Sequence, residues 1–328
     1  MVGKVGQQGS SRLNILITSI SAKIQLVKSF KEVVEPLGGV VVGTDMDEKC
    51  CAADFVDVFA ALPPDHSINY DAALLDVCVR HDIDLIIPSR DSELQRLTSL
   101  RHEFDALNII LPLPNADKLE ICLDKKKFHR FCLNNGFPVL PLVDPAADVS
   151  FPLFVRAINT TEDKIAYQVP NLKLWEKLGL DRSHHICQPL CTDNEYSIDV
   201  LMDMDGEPLQ AVVRHRQRLV NGESWRAQIK NMPELEVMAM DLCKKLELKA
   251  HNLVQAFVSE EGGIHLIEVN PRFGGCSNLS VVGGLNSPRR IVQMVQGNLE
   301  AAKRNGPIQF GLQSNRYSLD VMSRLDDD

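Results

Sequence analysis

The chain has 328 residues, which is enough for two or three domains with cores of their own. Its 45% hydrophobic and 24% charged residues are typical of a globular protein, and its net charge of −9 argues against general affinity for nucleic acids. No apolar run approaches the roughly 20 residues of a membrane-spanning helix, so we expect neither a nucleic acid nor a membrane as a partner.

The first residues and the cysteines favour a cytoplasmic protein. Residues 1–11 are polar and lack the apolar core of a secretory signal, so we expect a disordered tail there. The nine cysteines are scattered without a disulfide framework, which indicates reduced thiols. One cluster, His184, His185, Cys187 and Cys191, has a spacing that fits no structural zinc pattern well, and ordinary buried positions explain it better.

Strand and helix patterns alternate in the first third of the chain. The predicted elements are a strand at Leu13–Thr18, a helix from Ile24 to Val34, a strand at Gly39–Gly43, a helix at Ala72–His81, a strand at Asp84–Pro88, a helix at Asp91–Phe104 and a strand at Asn108–Leu111. This alternation predicts a Rossmann-like parallel sheet with helices on both faces. The turn at Ser19–Ala22 has no G-x-G-x-x-G sequence, so a structural layer is favoured over a dinucleotide site. Pro112–Asn115 marks a domain boundary.

The middle of the chain predicts a helix followed by a small group of strands. These elements are a helix from Asp124 to Asn135, paired strands at Phe151–Ala157 and Ile165–Val169, and a strand at Ile186–Leu190. The polar segment Asn159–Lys164 forms the tip of the hairpin and is expected to be flexible. Lys125 and its two lysine neighbours are most simply a solvated helix face, and Arg156 is a lone cation on its strand.

The last third predicts mainly strands and a set of arginines that share one face. Its elements are strands at Glu195–Met202, Leu209–Val213 and Leu253–Val258, helices at Pro233–Leu246 and from Pro288, and an irregular segment from Pro307. Arg214, Arg216 and Arg218 alternate along the chain, so they point to the same side of a strand. Burying such cations without anions is costly, so they are either exposed to solvent or line an anionic site.

The stretch GGIHLIEVNPRFGG, Gly262–Gly275, concentrates the residues that indicate chemistry. Glu268 and Asn270 are two apart on a predicted strand, so the carboxylate and the amide project from the same face. These oxygens suit a hard cation such as Mg²⁺. Pro271 ends the strand, and Arg272 then places a cation beside the pair. Taken alone, the same residues also describe a strand end with a surface glutamate.

Four segments in order distinguish between these two interpretations: LDKKKF at Leu123–Phe128, FPLFVRA at Phe151–Ala157, QPLCTDNEYSIDV at Gln188–Val200 and IEVNPRFGG at Ile267–Gly275. Together they resemble the ATP-grasp superfamily and are most similar to its carbamoyl-phosphate-synthase-like members. The resemblance extends from about Leu13 to Val295.

The resemblance implies an ATP-grasp fold of mixed α/β and α+β class. Behind the tail of residues 1–11, we expect a Rossmann-like pre-ATP-grasp domain at 12–114. A small lid subdomain at 115–190 and a catalytic subdomain with a mixed or antiparallel sheet at 191–328 are expected to follow.

The resemblance also assigns a role to individual residues. The nucleotide phosphates are expected at Lys125 and Arg156, the adenine at the hinge Gln188–Pro189–Leu190, and the ribose at Glu195. The ligands of Mg²⁺ (or Mn²⁺) are expected to be Glu268, Asn270 and Gln255. The catalytic arginine beside the γ-phosphate is expected to be Arg272. The acceptor site is expected to include Arg214 and Arg216, with Ser277, Asn278 and Arg289 as further candidates.

The implied activity is an ADP-forming ligase that joins a small-molecule carboxylate to an amine or a thiol through an acyl phosphate. Amino acids are candidate substrates, and a homodimer is the usual assembly. One feature departs from the family pattern, because Asn159–Lys164 has no glycine and carries Glu162 and Asp163 where a lid must close over phosphates. The alternative is therefore an ATP-binding protein with weakened catalysis and a regulatory or scaffold role. An NAD-dependent enzyme is a third reading, disfavoured by the missing glycines.

Overall fold

The computed structural model describes residues 12–144, 150–159, 166–181 and 183–322. They form three sheets, one parallel and two antiparallel. The mixed α/β class and the parallel first sheet are as predicted from the sequence. No helix in these ranges is long and apolar enough to cross a membrane.

The first sheet is parallel and has the strand order β3-β2-β1-β4. Its strands are β1 (Ile15–Ile17), β2 (Val41–Asp45), β3 (Val58–Ala61) and β4 (Leu85–Ile87), and its helices are α1 (Ile24–Val34), α2 (Tyr70–Arg80), α3 (Asp91–Ser99) and α4 (Arg101–Ala106). Short 3-10 turns lie at Glu35–Leu37 and Ala53–Phe55. The order reverses between β1 and β4, which is the point where open α/β sheets form a crevice at the carboxyl ends of their strands.

Three details of this layer differ from the prediction. The expected strand at Asn108–Leu111 is wrong, because only Ile110 forms an isolated bridge, to Leu85. The expected helix at Asp91–Phe104 is broken at Leu100 into α3 and α4. β3 was missed, since its four residues are too short for a clear pattern and acquire regular pairing only beside β2.

The second sheet is small and antiparallel, in the order β6-β5-β7. It follows α5 (Ala116–Leu123) and α6 (Lys125–Asn134) and consists of β5 (Leu153–Ala157), β6 (Ala166–Val169), α7 (Leu172–Leu178) and β7 (His185–Pro189). Its own core is formed by Leu153, Val155, Val169, Trp175 and Cys187. The predicted hairpin tip, apart from Asn159, lies outside the described residues.

The third sheet is the largest, with the antiparallel order β12-β11-β8-β9-β10-β13. Its elements are β8 (Asn194–Met202), β9 (Pro208–Val220), β10 (Glu223–Lys230), α8 (Pro233–Lys245), β11 (His251–Val258), β12 (Ile264–Asn270), α9 (Asn278–Ser280), a π-helical turn (Val281–Leu285), α10 (Ser287–Val295), α11 (Leu299–Ala302) and β13 (Gln313–Asn315). β13 corrects the irregular segment expected from Pro307, because pairing with β10 gives it regular structure.

The two faces of the large sheet pack against different parts of the chain. On one face Ile198, Val200 and Val213 join a core with α8 and with Phe128 of α6. On the other face Leu201 and Val212 pack in a core shared with β1, α1 and α10. This second face becomes polar toward the other end of the strands, so the first sheet and the large sheet enclose a polar space. The domain divisions at 114 and 190 stay predictions.

Candidate functional site

A cavity of about 1630 Å³ lies where the three sheets meet. Its walls include twelve of the fifteen residues that the sequence offered as candidates for the site. They are Lys125, Arg156, Gln188, Pro189, Leu190, Glu195, Arg214, Arg216, Gln255, Glu268, Asn270 and Arg272. Residues separated by up to 147 positions in the chain (272 − 125) therefore share one space.

Strand pairing explains how the large sheet supplies its share of these side chains. Gln255 of β11 lies opposite Glu268 of β12 on one side and opposite Ser197 of β8 on the other. Ser197 lies in turn opposite Arg214 of β9. Directly opposite residues point to the same face of an antiparallel sheet, so four neighbouring strands present one polar surface to the cavity.

Glu268 and Asn270 lie at the end of β12 with their side chains in contact. The Asn270 amide donates to Glu268, with 3.4 Å between Nδ2 and Oε1. The Gln255 amide donates to Glu195, with 3.1 Å between Nε2 and Oε1. Among the described residues, no hydrogen bond to the amide oxygen of Gln255 or Asn270 is found, so both oxygens can serve as ligands. Burial by itself raises the pKa of Glu268, but Arg156 and Lys125 outweigh it and hold that pKa below its usual value, so the carboxylate is ionised and fit for a cation.

Two cations from other elements face this carboxylate. Arg156 of β5 contacts Glu268, with 3.3 Å between Nη1 and Oε2, and donates to Gln188, with 3.0 Å between Nη2 and Oε1. Lys125 begins α6, where the Asp124 side chain caps the helix. Burial lowers the pKa of both Lys125 and Arg156, while Glu268 raises it. The Arg156 Nε is buried and has no hydrogen-bond partner within the described part of the chain. Two cations thus face one carboxylate, and the resulting positive charge suits an anionic ligand.

The predicted adenine hinge is the end of β7 and the residue after it. Gln188 is 8% exposed, and its amide donates to the carbonyl of Leu140 at 3.2 Å. The Leu190 N–H donates to the carbonyl of Pro152 at 3.0 Å, so this N–H is already used by the small sheet. A base that binds at Leu190 would therefore be recognised through the Leu190 carbonyl oxygen.

Arg214 is almost fully buried, at 1% exposed, and belongs to a polar cluster under the cavity wall. Its Nε donates to Asp199, with 2.6 Å to Oδ2. Asp199 also accepts hydrogen bonds from the hydroxyls of Ser277 and Ser280, and His251 Nε2 lies 3.1 Å from its Oδ1. Asp199, which was not predicted as a site residue from the sequence, thus fixes the position of the Arg214 guanidinium.

Arg216 and Glu195 form an ion pair at the other end of the same surface. The Nε of Arg216 also donates to Ser224 Oγ at 3.0 Å. Three further candidates for the acceptor site do not line the cavity: Ser277, Asn278 and Arg289. Ser277 faces Asp199 instead, and Arg289 is exposed on α10.

The histidine and cysteine cluster is engaged in local contacts. The Nδ1 of His184 lies 3.0 Å from the Asp181 carboxylate, and the Nδ1 of His185 lies 2.8 Å from the Asp181 carbonyl oxygen. Cys187 is buried in the core of the small sheet. Across the described ranges, no three His, Cys, Asp or Glu side chains are grouped so that they could hold a metal ion. A cation at Glu268 therefore relies on amide oxygens and on its ligand's own oxygens.

Arg272 follows β12 and reaches across to the first sheet. Its Nε donates to Asp91 of α3, with 2.6 Å to Oδ1, and its Nη2 contacts the other carboxylate oxygen. Its Nη1 donates to the carbonyl of Phe273 at 3.0 Å. Burial by itself lowers the pKa of Arg272, and the Asp91 carboxylate reverses this, so the guanidinium is a fixed cation in the cavity.

Two family models match the chain. A model described as the PylC-like N-terminal domain covers residues 15–111. A model described as ATP-grasp in the biosynthetic pathway with Ter operon covers residues 182–318. The chain thus carries an ATP-grasp domain behind a PylC-like N-terminal domain. The second match includes the segments at Gln188–Val200 and Ile267–Gly275, and the first covers the Rossmann-like layer in front of them.

Solved structures show the same ATP-grasp fold over most of the chain. Biotin carboxylase from Campylobacter jejuni, in complex with β-γ-ATP, is 14% identical with a TM-score of 0.71, covering 93% of this chain and 75% of that chain. The ADP complex of purK, N5-carboxyaminoimidazole ribonucleotide synthetase, is 14% identical with a TM-score of 0.71, covering 92% and 80%. L-amino acid ligase from Bacillus licheniformis is 17% identical with a TM-score of 0.67, covering 89% and 77%. No curated protein matches the chain.

Several cavity residues of this ATP-grasp protein were not found from its sequence. They lie at the carboxyl ends of strands of the first sheet or just after them, and include Ser19, Lys23, Asp45, Arg90 and Asp91. The available signal was topological, because ligands of open α/β sheets bind at the carboxyl ends of the strands near the reversal of strand order. The missing G-x-G-x-x-G sequence had favoured a purely structural role for this layer.

Proposed function

We propose that this ATP-grasp protein is an ATP-dependent ligase that activates a small carboxylate as an acyl phosphate and joins it to an amine or a thiol. The observation that carries the proposal is the convergence of Lys125, Arg156 and Arg272 with an ionised Glu268 in one cavity. Phosphoryl transfer needs such an arrangement, because its catalysis rests on positioning and on neutralising charge. The fold shared with biotin carboxylase and L-amino acid ligase supports it.

ATP lies along the cavity from the small sheet toward Arg272 in this proposal. The adenine contacts the hinge at Gln188–Leu190, and Glu195 accepts hydrogen bonds from the ribose hydroxyls. Lys125 and Arg156 bind the phosphates, and the free Nε of Arg156 gains a partner there. Binding four negative charges relieves the mutual repulsion of the buried cations, so nucleotide binding also stabilises the site.

The donor set near Glu268 fits a magnesium ion. Glu268 with its carboxylate, and Asn270 and Gln255 with their amide oxygens, are the residues that would hold the ion, together with phosphate oxygens of the nucleotide. When bound, the ion would neutralise charge on those phosphate oxygens.

The reaction then proceeds in two steps. A carboxylate oxygen of the substrate attacks the γ-phosphorus, and the bond to the β-phosphate oxygen breaks, which releases ADP and leaves an acyl phosphate. An amine attacks the acyl carbon, loses a proton and expels phosphate, which forms an amide. Arg272 neutralises the phosphoryl oxygens as charge develops on them, and Asp91 holds the guanidinium in place.

ADP release tests the proposal. Purified protein is incubated with Mg-ATP and pairs drawn from a panel of carboxylates and amines, and we expect stoichiometric ADP and phosphate with at least one pair. Glu268→Gln is expected to abolish turnover while keeping the fold, because the amide cannot neutralise a cation. Glu260→Gln, an exposed substitution of the same kind, is the matched control and is expected to leave turnover unchanged.

Two results would count against the ligase. Full turnover by Glu268→Gln contradicts the metal assignment. Nucleotide binding without turnover across the whole panel favours the alternative, an ATP-binding protein with a regulatory or scaffold role. The cytoplasmic location and the homodimer stay predictions.

A further inference from the structure

Gln188 has side-chain contacts that its predicted place in the adenine hinge does not explain. It lies on β7 directly opposite Phe154 of β5, and both residues line the cavity. Arg156 is two residues further along β5 than Phe154, so it projects from the same face of the small sheet. A base that is recognised through the carbonyl oxygen of Leu190 leaves the Gln188 side chain without a role.

Both polar ends of the Gln188 amide are engaged inside the protein. Its Oε1 accepts a hydrogen bond from Arg156 Nη2 at 3.0 Å, and its Nε2 donates to the Leu140 carbonyl oxygen at 3.2 Å. An amide fits this place because it accepts and donates at once, whereas an ionised carboxylate only accepts and a cationic side chain only donates. The chemistry of the side chain thus matches a link between the arginine and the Leu140 backbone.

The Leu140 carbonyl is itself held in place by other elements. The Nε2 of His129 on α6 lies 3.1 Å from the same carbonyl oxygen. Two residues earlier in the chain, the Pro138 carbonyl accepts a hydrogen bond from the Leu266 N–H of β12 at 2.8 Å. Gln188 therefore ties the guanidinium to a segment that is fastened to both α6 and β12.

The other contacts of the Arg156 guanidinium are weaker or involve a candidate metal ligand. Its Nη1 lies 3.3 Å from Oε2 of Glu268, the carboxylate that would also hold the cation. Its central carbon lies 6.0 Å from the centre of the Phe154 ring, at the outer limit of a cation–π contact. A cation at Glu268 would weaken the attraction of that carboxylate for the guanidinium. The hydrogen bond from Arg156 to the neutral Gln188 amide does not depend on a bound cation.

The neutrality of Gln188 also leaves the charge of Arg156 available to a ligand. A carboxylate in this place would form an ion pair with the guanidinium and compete with phosphate oxygens for it. The amide orients the guanidinium and cancels none of its charge. The Arg156 Nε, which has no hydrogen-bond partner among the described residues, is a donor left for a ligand. A cation oriented in advance needs no rearrangement when the phosphates arrive.

We propose that Gln188 is a positioning residue of the phosphate site, whose side chain orients the Arg156 guanidinium and acts on the nucleotide only through it. The assignment rests on the phosphate-binding role proposed above for Arg156 and adds the residue that holds this cation. β7 then serves the nucleotide at two places, with its end at the base and with the Gln188 side chain at the phosphates.

A double-variant cycle on the full chain tests this assignment, with Mg-ADP as the ligand and calorimetric titration as the measurement of its Kd. Gln188→Met keeps the approximate volume of the side chain and removes both hydrogen bonds, and Arg156→Met removes the cation. Each single variant is expected to raise the Kd about tenfold or more. In the Arg156→Met background, Gln188→Met is expected to change the Kd by less than about twofold, because the group that it positions is gone.

A direct contact between the Gln188 side chain and the nucleotide would give a different result. Gln188→Met would then weaken binding as much in the Arg156→Met background as in the wild type, and this additivity would overturn the assignment. A Kd within about twofold of wild type in either single variant would overturn it as well. Absence of Mg-ADP binding by the wild type would overturn the nucleotide site itself.

Gln168→Met is the matched control. Gln168 lies on β6, directly opposite Phe154 on the side away from Gln188, and it also lines the cavity. Within the described ranges, no hydrogen bond joins the Gln168 side chain to Arg156. The control is expected to keep the Kd for Mg-ADP within about twofold of wild type. Equal weakening by Gln168→Met and Gln188→Met would contradict a specific role for Gln188.

Urea unfolding shows whether each variant keeps the fold of the wild type. Gln188→Ala removes the same two hydrogen bonds and adds no atoms, so it replaces Gln188→Met in the cycle if methionine does not fit the buried site. The expected Kd changes and the results that overturn the assignment are the same for both substitutions.

The positioning role and the ligase fail in different ways. Coupling between Gln188 and Arg156 in Mg-ADP binding, without ADP release for any substrate pair, would keep the positioning residue and overturn the ligase. ADP release by the wild type, together with additive effects of the two substitutions on the Kd for Mg-ADP, would keep the ligase and overturn the positioning role.

Discussion

Asp91 and Arg272 form a two-point ion pair that joins the first sheet to the end of β12. The Nε of Arg272 lies 2.6 Å from Asp91 Oδ1, and its Nη2 contacts Oδ2. Both side chains are only 17% exposed. Two parallel contacts leave a guanidinium little freedom, so the position of Arg272 in the cavity depends on α3 as well as on its own strand.

Replacing Asp91 by asparagine is expected to destabilise the protein by about 1–3 kcal/mol, because a largely buried guanidinium loses its charged partner. Urea unfolding measures this change. Asp76→Asn, which breaks the exposed pair between Asp76 and Arg80, is the control and is expected to cost no more than about 0.5 kcal/mol. Equal effects of the two substitutions would show that the Asp91 pair is as weak as a surface pair.

Among the carboxylates of the large sheet, Asp199 is expected to be the one whose replacement destabilises the protein most. It is fully buried and receives Arg214, His251, Ser277 and Ser280. Burial by itself raises the pKa of Asp199, but Arg214 and His251 outweigh it and hold that pKa well below its usual value. Asp199→Asn is therefore expected to destabilise the protein by about 3–5 kcal/mol in urea unfolding, since it leaves a buried cation unpaired.

A double-variant cycle separates this pair from the rest of the cluster. Arg214→Met is combined with Asp199→Asn, and the double variant is expected to be more stable than the sum of the two single effects predicts. Simple additivity would mean that the serines and His251, and not the ion pair, account for the cost.

Glu93 is expected to lower the free energy of unfolding as pH rises. The lowered pKa of Asp199 has the opposite effect. It is buried and accepts hydrogen bonds from Thr18, Ser19 and Ser89. Burial raises its pKa, and those hydrogen bonds only partly oppose the shift. The folded protein thus holds the proton more tightly than the unfolded chain, so this contribution is complete below about pH 4.3 and is lost as pH rises toward the folded pKa.

Glu93→Gln removes that proton equilibrium. The free energy of unfolding of the variant, measured relative to wild type in urea, is expected to rise with pH above about 4.3, by at most about 1.4 kcal/mol per pH unit. A constant difference between wild type and variant across the range from acid to neutral pH would rule out a raised pKa at Glu93.

Glu195 is expected to act mainly on nucleotide affinity. Glu195→Ala removes the predicted ribose acceptor and also frees Arg216 and Gln255, which both contact Glu195. We expect the KM for ATP to rise more than kcat falls. Glu207→Ala, which removes an exposed partner of Lys244, provides the control and should leave both constants unchanged. An unchanged KM for ATP in Glu195→Ala would remove Glu195 from the ribose.

Local sequence patterns predicted the elements that depend on interactions between residues close together in the chain. The helix at Lys125–Asn134 follows from its own apolar spacing and from Asp124, which caps it. β12 follows from the alternation around Glu268 and Asn270 and from Pro271, which cannot continue the ladder. The strands that were missed, β3 and β13, form only by pairing with a neighbouring strand, because strands of three or four residues are stable only beside a partner.

The sequence by itself predicted a set of residues for the site, since the ordered segments around Lys125, Arg156, Gln188 and Glu268 are local motifs, and these four residues line one cavity. Only the tertiary structure decided what each side chain contacts there. The contacts of Asp199 with Arg214 and of Asp91 with Arg272, and the position of Lys23, Asp45 and Arg90 in the cavity wall, join distant parts of the chain. Ion pairs and cavities depend on distance in space, and a pattern of neighbours along the chain carries no record of that distance.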